Sequence, residues 1–378
     1  MIIRPDKTKV EDYFNSPAIN QSRLKLLPKG VDYFNSVREE SEAEVMFYEE
    51  KTHFILGHAA EMKLQNGIQD FEDAYHMSDI PKPSDKLMSI TQQFFDIQSR
   101  IKEPNEPFPL LTDDRIKSDI ANCIDFHQYY PKWTMDVKVN KVRTECTDYY
   151  NDLILAFGKQ ILDLDEATTI EAIVNSLQRS NRTSRFFNEE ETPDIDYYYQ
   201  LPIYFTYLGV ECKILIDILE VNHISKSLKV IDIKTLGDFT LRFPSSMRKF
   251  RYDFQVAFYT IGVNRWKNTL TEIADYKIQN PEFIVETTKL GFQGNPLVFT
   301  CSDQLIDIAL YGRKLLSTSE HYDDRNMLVS QPIQTSELFG VIETVELYKW
   351  HLENGFEVDK LVRENQSKLL LDWEGIVK

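Results

Sequence analysis

The sequence has no long apolar run. No stretch approaches the roughly 20 residues needed to cross a bilayer, and Met1-Ile2-Ile3-Arg4-Pro5-Asp6 lacks the apolar core of a signal peptide. A soluble, cytoplasmic protein with no membrane partner is the expectation. Cysteine is scarce and scattered. Cys123, Cys146, Cys212 and Cys301 form no C-x-x-C pair, which counts against a zinc ribbon and against a cysteine-ligated iron–sulfur cluster. Buried, reduced thiols are expected instead. There is no internal repeat and no low-complexity run, so repeat architectures are set aside. Positive charge is in deficit: 43 Lys+Arg against 60 Asp+Glu give a net charge of -17. That counts against a simple electrostatic binder of nucleic acid, which depends on phosphate attraction and counterion release. It leaves room for a site whose acids hold metal ions while a local basic strip meets a polyanion.

What is present is apolar material. The 378 residues are 42% hydrophobic and 12% aromatic, enough for a sizeable core in one large domain or one domain with insertions. At 27% charged, the chain does not read as disordered.

Along the chain, Asn20 is a good helix N-cap, with Ile19 and Leu24 spaced as a hydrophobic staple. Pro28 and Gly30 end that short helix. Residues 39–50 are acidic and read as solvated. His53 to Leu64 reads as a second helix; small residues at Gly57, Ala59 and Ala60 invite a close neighbour, and Glu61 falls one turn after Gly57. An ordinary amphipathic helix with an exposed glutamate is the alternative. Prolines punctuate 67–135, while Ile90, Phe94, Ile97 and Ile101 keep helical spacing. Tyr149–Leu164 and Thr168–Arg179 also read as helices. Arg179, Arg182 and Arg185 then form a basic patch, either a solvated loop or a phosphate contact. From Tyr197 the pattern changes to strands. Ile203–Leu208 and Val210–Val221 read as a hairpin around Gly209, and Leu228–Thr235 as the next strand. A helix is expected over Pro244–Trp266. Short strands follow at Phe283–Glu286 and Leu297–Cys301, then a helix capped at Ser302 and running to about Leu316. The tail from Glu337 reads as mainly helical. The expected organisation is one integrated domain: N-terminal helices over 1–66, a helical insertion over 67–196, a core over 197–318 and a helical tail over 319–378.

The chemistry concentrates in Val230-Ile231-Asp232-Ile233-Lys234-Thr235 and in the preceding strand, Lys213 to Leu219. Side chains alternate along a strand, so Asp232 and Lys234 share one side of the sheet. Asp217, on the neighbouring antiparallel strand, can reach the same face. Acids framed by isoleucine, leucine and valine need a partner, because an unpaired buried charge is costly. Either Lys234 or a cation supplies it. Two aspartates at adjacent strand ends suit a hard ion, and a lysine beside them could orient or deprotonate a water or stabilise charge on a phosphate. Asp-x-Lys alone is weak, since an edge-strand salt bridge reads the same way. Its company raises it. On the following helix Met247, Phe250, Phe254, Phe258 and Ile261 read as an apolar stripe, with Arg248, Arg251, Gln255 and Tyr259 as a polar stripe beside it.

Together, Asp217, Asp232-Ile233-Lys234-Thr235 and Gln255-x-x-x-Tyr259 resemble the PD-(D/E)XK nuclease superfamily, and within it the RecB-like and exonuclease VIII-like group of phage recombination. The opening Ile19-Asn20-Gln21-Ser22-Arg23-Leu24-Lys25-Leu26-Leu27 resembles the first helix of that group. The likeness covers the chain to Leu64 and from about Tyr197 to Phe299. The resemblance implies an α/β (α+β) fold of the restriction-endonuclease type, with a central mixed four-stranded sheet flanked by helices, and cleavage of DNA dependent on Mg²⁺ or Mn²⁺. Asp217 and Asp232 would be metal ligands, Ile233 would lend its backbone carbonyl and Lys234 would be the catalytic lysine. Gln255 and Tyr259 would position DNA, with Arg248 and Arg251 beside them. Glu61 fills a slot that in the family more often holds histidine, and His58 competes for that role. No iron–sulfur cluster is implied.

Three functions follow. The first is an exonuclease acting on duplex ends in the cytoplasm of a bacterial or phage-infected cell. It would feed a single-strand annealing protein, and a ring-like homo-oligomer is one option in the family. The second is an endonuclease or single-strand nuclease on the same scaffold. The third is a catalytically silent module that binds DNA or protein. Intact Asp217, Asp232 and Lys234 weigh against the third.

Overall fold

The structure is a computed structural model and describes residues 1–39, 51–103, 106–188, 194–322 and 328–360. The chain divides into two compact units, Met1–Gln65 with Ala172–Lys378, and Asn66–Glu171. It opens with strand β1 (Ile2–Ile3) and helices α1 (Lys7–Asn15), α2 (Gln21–Leu24), α3 (Val31–Glu39) and α4 (Lys51–Gln65). There follow α5 (Ile68–Ala74), β2 (Tyr75–Met77), α6 (Asp85–Ile101), α7 (Lys117–Phe126), α8 (Met135–Leu155) and β3 (Gln160–Leu162). Helix α9 (Leu164–Arg179) spans the boundary between units. After it come β4 (Ile195–Tyr207), β5 (Val210–Asn222), β6 (Ser227–Leu236), α10 (Phe243–Phe250), α11 (Tyr252–Lys267), β7 (Lys277–Ile278), β8 (Glu282–Thr287) and β9 (Leu297–Thr300). Helix α12 (Asp303–Tyr311), the hairpin β10 (Arg313–Tyr322) and β11 (Leu328–Leu338), and α13 (Val341–Asn354) complete the described chain.

The class is mixed α/β, as the sequence suggests, but the main sheet is larger than the expected four strands. Among the described residues it has seven, in the order β1-β4-β5-β6-β8-β9, with β7 also on β6. Pairing is mixed: β4–β5, β5–β6 and β8–β9 are antiparallel, while β1–β4 and β6–β8 are parallel. The β4–β5 hairpin turns through Leu208 (φ 52°) and Gly209 (φ 82°). Two consecutive left-handed residues are the geometry that matches strand twist, and glycine makes the second one unstrained. Strand β5 is buried almost throughout from Cys212 to Val221. A strand covered on both faces reads as a continuous apolar run rather than an alternation.

One core fills the space beside the sheet. Ile214, Ile216 and Leu219 of β5 pack with Phe254, Ala257 and Phe258 of α11 and with Leu24 and Leu27 from the N-terminus. Asn20 caps α2, its Oδ1 accepting the Arg23 N–H at 2.9 Å. The expected helix over Pro244–Trp266 is broken at Arg251, which adopts φ 56° and separates α10 from α11. The proposed apolar stripe is therefore split. Met247 joins a second cluster with Leu236, Phe243 and Phe283, whereas Phe254, Phe258 and Ile261 join the main core.

The second unit has a core of its own, built from α6, α7 and α8 around Ile90, Phe94, Ile120, Ile124, Val139, Val142 and Tyr150. The insertion thus forms a compact body over Asn66–Glu171, shorter than the expected 67–196. Of the four residues at helical spacing on α6, Ile90 and Phe94 are buried but Ile97 and Ile101 are exposed; Leu87 and Phe95 complete the true face. The helical tail expected over 319–378 is also revised. Helix α12 stops at Tyr311, and the antiparallel β10–β11 hairpin intervenes before α13. The acidic residues 40–50 and the end of the tail, 361–378, lie outside the described residues. All four cysteines are free and buried. Among the described residues, no helix is long and apolar enough to cross a membrane.

Candidate active site

The register of β5 on β6 runs from Asn222↔Ser227 to Ile218↔Ile231 and stops there. The next residues on the two strands are Asp217 and Asp232. One residue further along β6, the Ile233 N–H donates to Asp217 Oδ2 at 2.9 Å. The strands part where the acids sit, and a carboxylate takes a backbone donor in place of a ladder bond. Strand β6 keeps its parallel pairing with β8 through this point, Asp232 opposite Phe283 and Lys234 opposite Val285. That pairing fixes both side chains on one face.

Lys234 Nζ lies 2.6 Å from Asp232 Oδ2. Asp232 is fully buried, and its Oδ2 faces that ammonium. The two aspartate carboxyls are themselves in hydrogen-bond contact. The other carboxylate oxygen, Asp232 Oδ1, accepts from Gln255 Nε2 at 2.8 Å. Gln255 Nε2 also donates to Tyr259 Oη at 3.1 Å, and Gln21 Nε2 donates to the same hydroxyl at 3.2 Å. A hydrogen-bonded chain therefore runs from α2 through α11 to Asp232. Gln255 and Tyr259, expected to position DNA, point inward and orient a carboxylate; Tyr259 is buried. Gln21 was not among the expected site residues, although it stands inside the opening segment that carries the family likeness. Tyr252 was also missed: Lys234 Nζ sits 5.0 Å from its ring centroid, a cation–π contact.

Helix α4 supplies the third acid. A Cβ at Gly57 would collide with Thr235 Oγ1, so glycine is what lets α4 lie close on β6. One turn on, Glu61 couples electrostatically to Asp217, Lys234 and Asp232. His58, the competing residue, is exposed on the same helix. The basic residues behave differently. Arg251 pairs with Asp253 at 3.0 Å and donates to the Phe339 carbonyl at 3.1 Å, so it holds the break between helices. Arg248 is exposed on α10, and with the helix broken it shares no face with Gln255. Arg182 donates to Asn295 Oδ1 at 2.7 Å and Arg185 stacks over Phe186, so both brace loops.

The charges do not balance. Burial raises the Glu61 carboxyl well above the ordinary range, and Asp217 adds to this. Burial, then Asp232, pushes Asp217 up to about 7. Burial also raises Asp232, against the pull of Lys234. Burial alone would lower the Lys234 ammonium, but Asp232 and Asp217, followed by Tyr252 and Glu61, outweigh it and hold its pKa above the usual lysine value. Three carboxylates face one ammonium. With all ionised the cluster carries two excess negative charges, and protons are retained instead. A divalent cation matches that excess, and oxygen donors suit Mg²⁺ or Mn²⁺. The fit is one of donor chemistry and charge rather than of a preformed cage. Among the described residues no three His, Cys, Asp or Glu side chains are grouped as metal ligands in the positions they occupy.

The chain matches no protein-family model and no curated protein.

Proposed function

We propose that this protein is a metal-dependent DNA exonuclease of the PD-(D/E)XK type, acting at duplex ends in phage-type recombination. The observation that carries the reading is the excess of acid in one cluster, with Glu61, Asp217 and the fully buried Asp232 around the single ammonium of Lys234. A structural salt bridge needs one acid per lysine; three carboxylates raised chiefly by burial around a single lysine favour a cation site. Glu61, Asp217 and Asp232 would hold Mg²⁺ or Mn²⁺, and the chemistry such an ion supplies when bound is Lewis-acid polarisation of a phosphoryl oxygen. Ile233 donates its N–H to Asp217 and so positions that carboxylate. Its carbonyl remains the family's candidate ligand. Lys234 stays protonated beside the acids, which favours charge stabilisation at the phosphate over proton abstraction. Gln255 and Tyr259, with Gln21 behind them, hold Asp232 in place. Cytoplasmic action and a single-strand annealing partner belong to the same reading.

The test is degradation of linear duplex DNA labelled at either end, beside a closed circular duplex, with Mg²⁺, Mn²⁺ or EDTA. Metal-dependent loss of the linear form alone supports an exonuclease, and the label gives its direction. Cutting of the circle supports the endonuclease alternative. Folded protein that cuts neither, with metal present, leaves the catalytically silent module as the better reading.

A further inference from the structure

Strands β6 and β8 are parallel and end side by side, and the loops that leave them carry a surface unlike the rest of this acidic chain. The two loops are tied at the root, where the Thr288 N–H donates to the Leu236 carbonyl at 2.7 Å. Beyond that point Phe239 and Phe292 meet edge to face at 5.3 Å between centroids. Both are open to solvent, at 48% and 61% exposure, and are flanked by Leu241 at 78% and Leu290 at 50%. Lys289 Nζ lies 4.2 Å from the Phe239 centroid and 3.2 Å from Asp238 Oδ1, so it locks one loop to the other. The second loop is braced from within. Glu286 Oε2 accepts the Gly294 N–H at 3.2 Å, and Arg182 holds Asn295. These aromatics are therefore presented rather than merely left exposed.

Charge says what they face. Residues 237–250 and 288–296 hold Arg242, Arg248, Lys249 and Lys289 against one acid, Asp238, in a protein of net charge -17. A basic surface with exposed aromatic side chains fits a polyanion that also offers flat rings. An extended chain advances about 3.4 Å per residue, so five residues place Phe239 within roughly 17 Å of Lys234. We propose that the Phe239–Phe292 pair is a base-stacking platform that grips single-stranded DNA at the end of the substrate beside the cleavage site. The inference rests on the nuclease reading for the identity of the polymer, and it adds an unpaired strand as the form held next to the acids. Aromatic platforms stack on any base without reading its identity, so the grip is independent of sequence.

The experiment compares binding of a labelled oligothymidylate and an abasic oligomer of equal length to the full chain, in EDTA so that nothing is cleaved. The wild type should prefer the oligothymidylate by about tenfold or more, since stacking contributes on that scale per base. Phe239→Ala with Phe292→Ala should erase the preference while keeping affinity for the abasic polymer, and Phe292→Trp should retain the preference. Both positions are exposed, so folding is not at issue, and circular dichroism checks it. A wild type without preference, or a double variant that keeps it, overturns the proposal. So does a double variant whose sedimentation changes while its DNA binding does not, because the patch is then a contact between copies. Binding without cleavage would leave this inference standing while the nuclease reading fell.

Discussion

Asp217→Asn should stabilise the metal-free protein at neutral pH, although it removes a residue assigned to the site. Burial, followed by Asp232, raises the Asp217 carboxyl to about 7 from an ordinary 3.8. The native state therefore holds more protons than the unfolded chain between those values. Native stability falls as pH climbs from about 4 to about 7, and the full cost is present above that window. A gap of about three pH units corresponds to about 4 kcal/mol at about 1.4 kcal/mol each. Asp217 is only half-buried, and solvent screening brings the figure nearer to about 1–2 kcal/mol. Asparagine can still accept the Ile233 N–H, so the substitution removes the charge and leaves the bond. In thermal unfolding with EDTA, Asp217→Asn and wild type should coincide near pH 4.5 and separate by about 1–3 °C in favour of the variant near pH 8. Mg²⁺ should raise the wild-type transition more at pH 8 than at pH 5.5 and should scarcely move the variant. A variant that is less stable at pH 8 in EDTA refutes the reasoning, because Asp217 would then be a structural carboxylate satisfied by Ile233 and Lys234.

Other substitutions separate roles within the site. Gly57→Ala forces a methyl onto Thr235 Oγ1 and should cost about 1–3 kcal/mol by overpacking; Thr235→Ala in the same chain should restore much of it, as read by denaturant unfolding. Tyr259→Phe removes the acceptor shared by Gln255 and Gln21 and should lower the cleavage rate by about tenfold, the scale of one buried unmade hydrogen bond. DNA affinity should not change; weaker binding at an unchanged rate would mean that Tyr259 contacts DNA. Arg251→Ala strands the buried Asp253 and should cost about 1–3 kcal/mol, again with little change in DNA binding by anisotropy.

Strands β5, β6 and β8 were legible in the sequence because isoleucine, valine and leucine dominate them and their acids stand out. Strand alternation alone put Asp232 and Lys234 on one face, and an antiparallel pairing of the two strands put Asp217 within reach of it. The close approach of α4 was signalled by Gly57. What escaped was set by tertiary contacts. No glycine or proline marks the break at Arg251; a left-handed arginine is held there by Asp253 and the Phe339 carbonyl, 88 residues away. A continuous helix with a polar stripe was the natural reading, and the break dissolves that stripe. The β10–β11 hairpin has no clear apolar alternation, so its segment did not read as strand. Gln21 lay in a recognised stretch, but its link to Tyr259, 238 residues on, exists only in the folded core. The separate core of Asn66–Glu171 was hidden because scattered prolines suggested looseness where three helices in fact pack together.

The most direct measurement of the central claim is the rate of linear duplex cleavage as Mg²⁺ is titrated, with Asp232→Asn and Lys234→Ala run beside the wild type. Cleavage that appears only with the metal and falls by about a thousandfold or more in both variants is the expected result, since in the proposed site each group would act directly on the reacting phosphate or its cation. Cleavage that persists in EDTA, or in folded Asp232→Asn at the wild-type rate, would contradict the assignment of Glu61, Asp217, Asp232 and Lys234 as the catalytic centre.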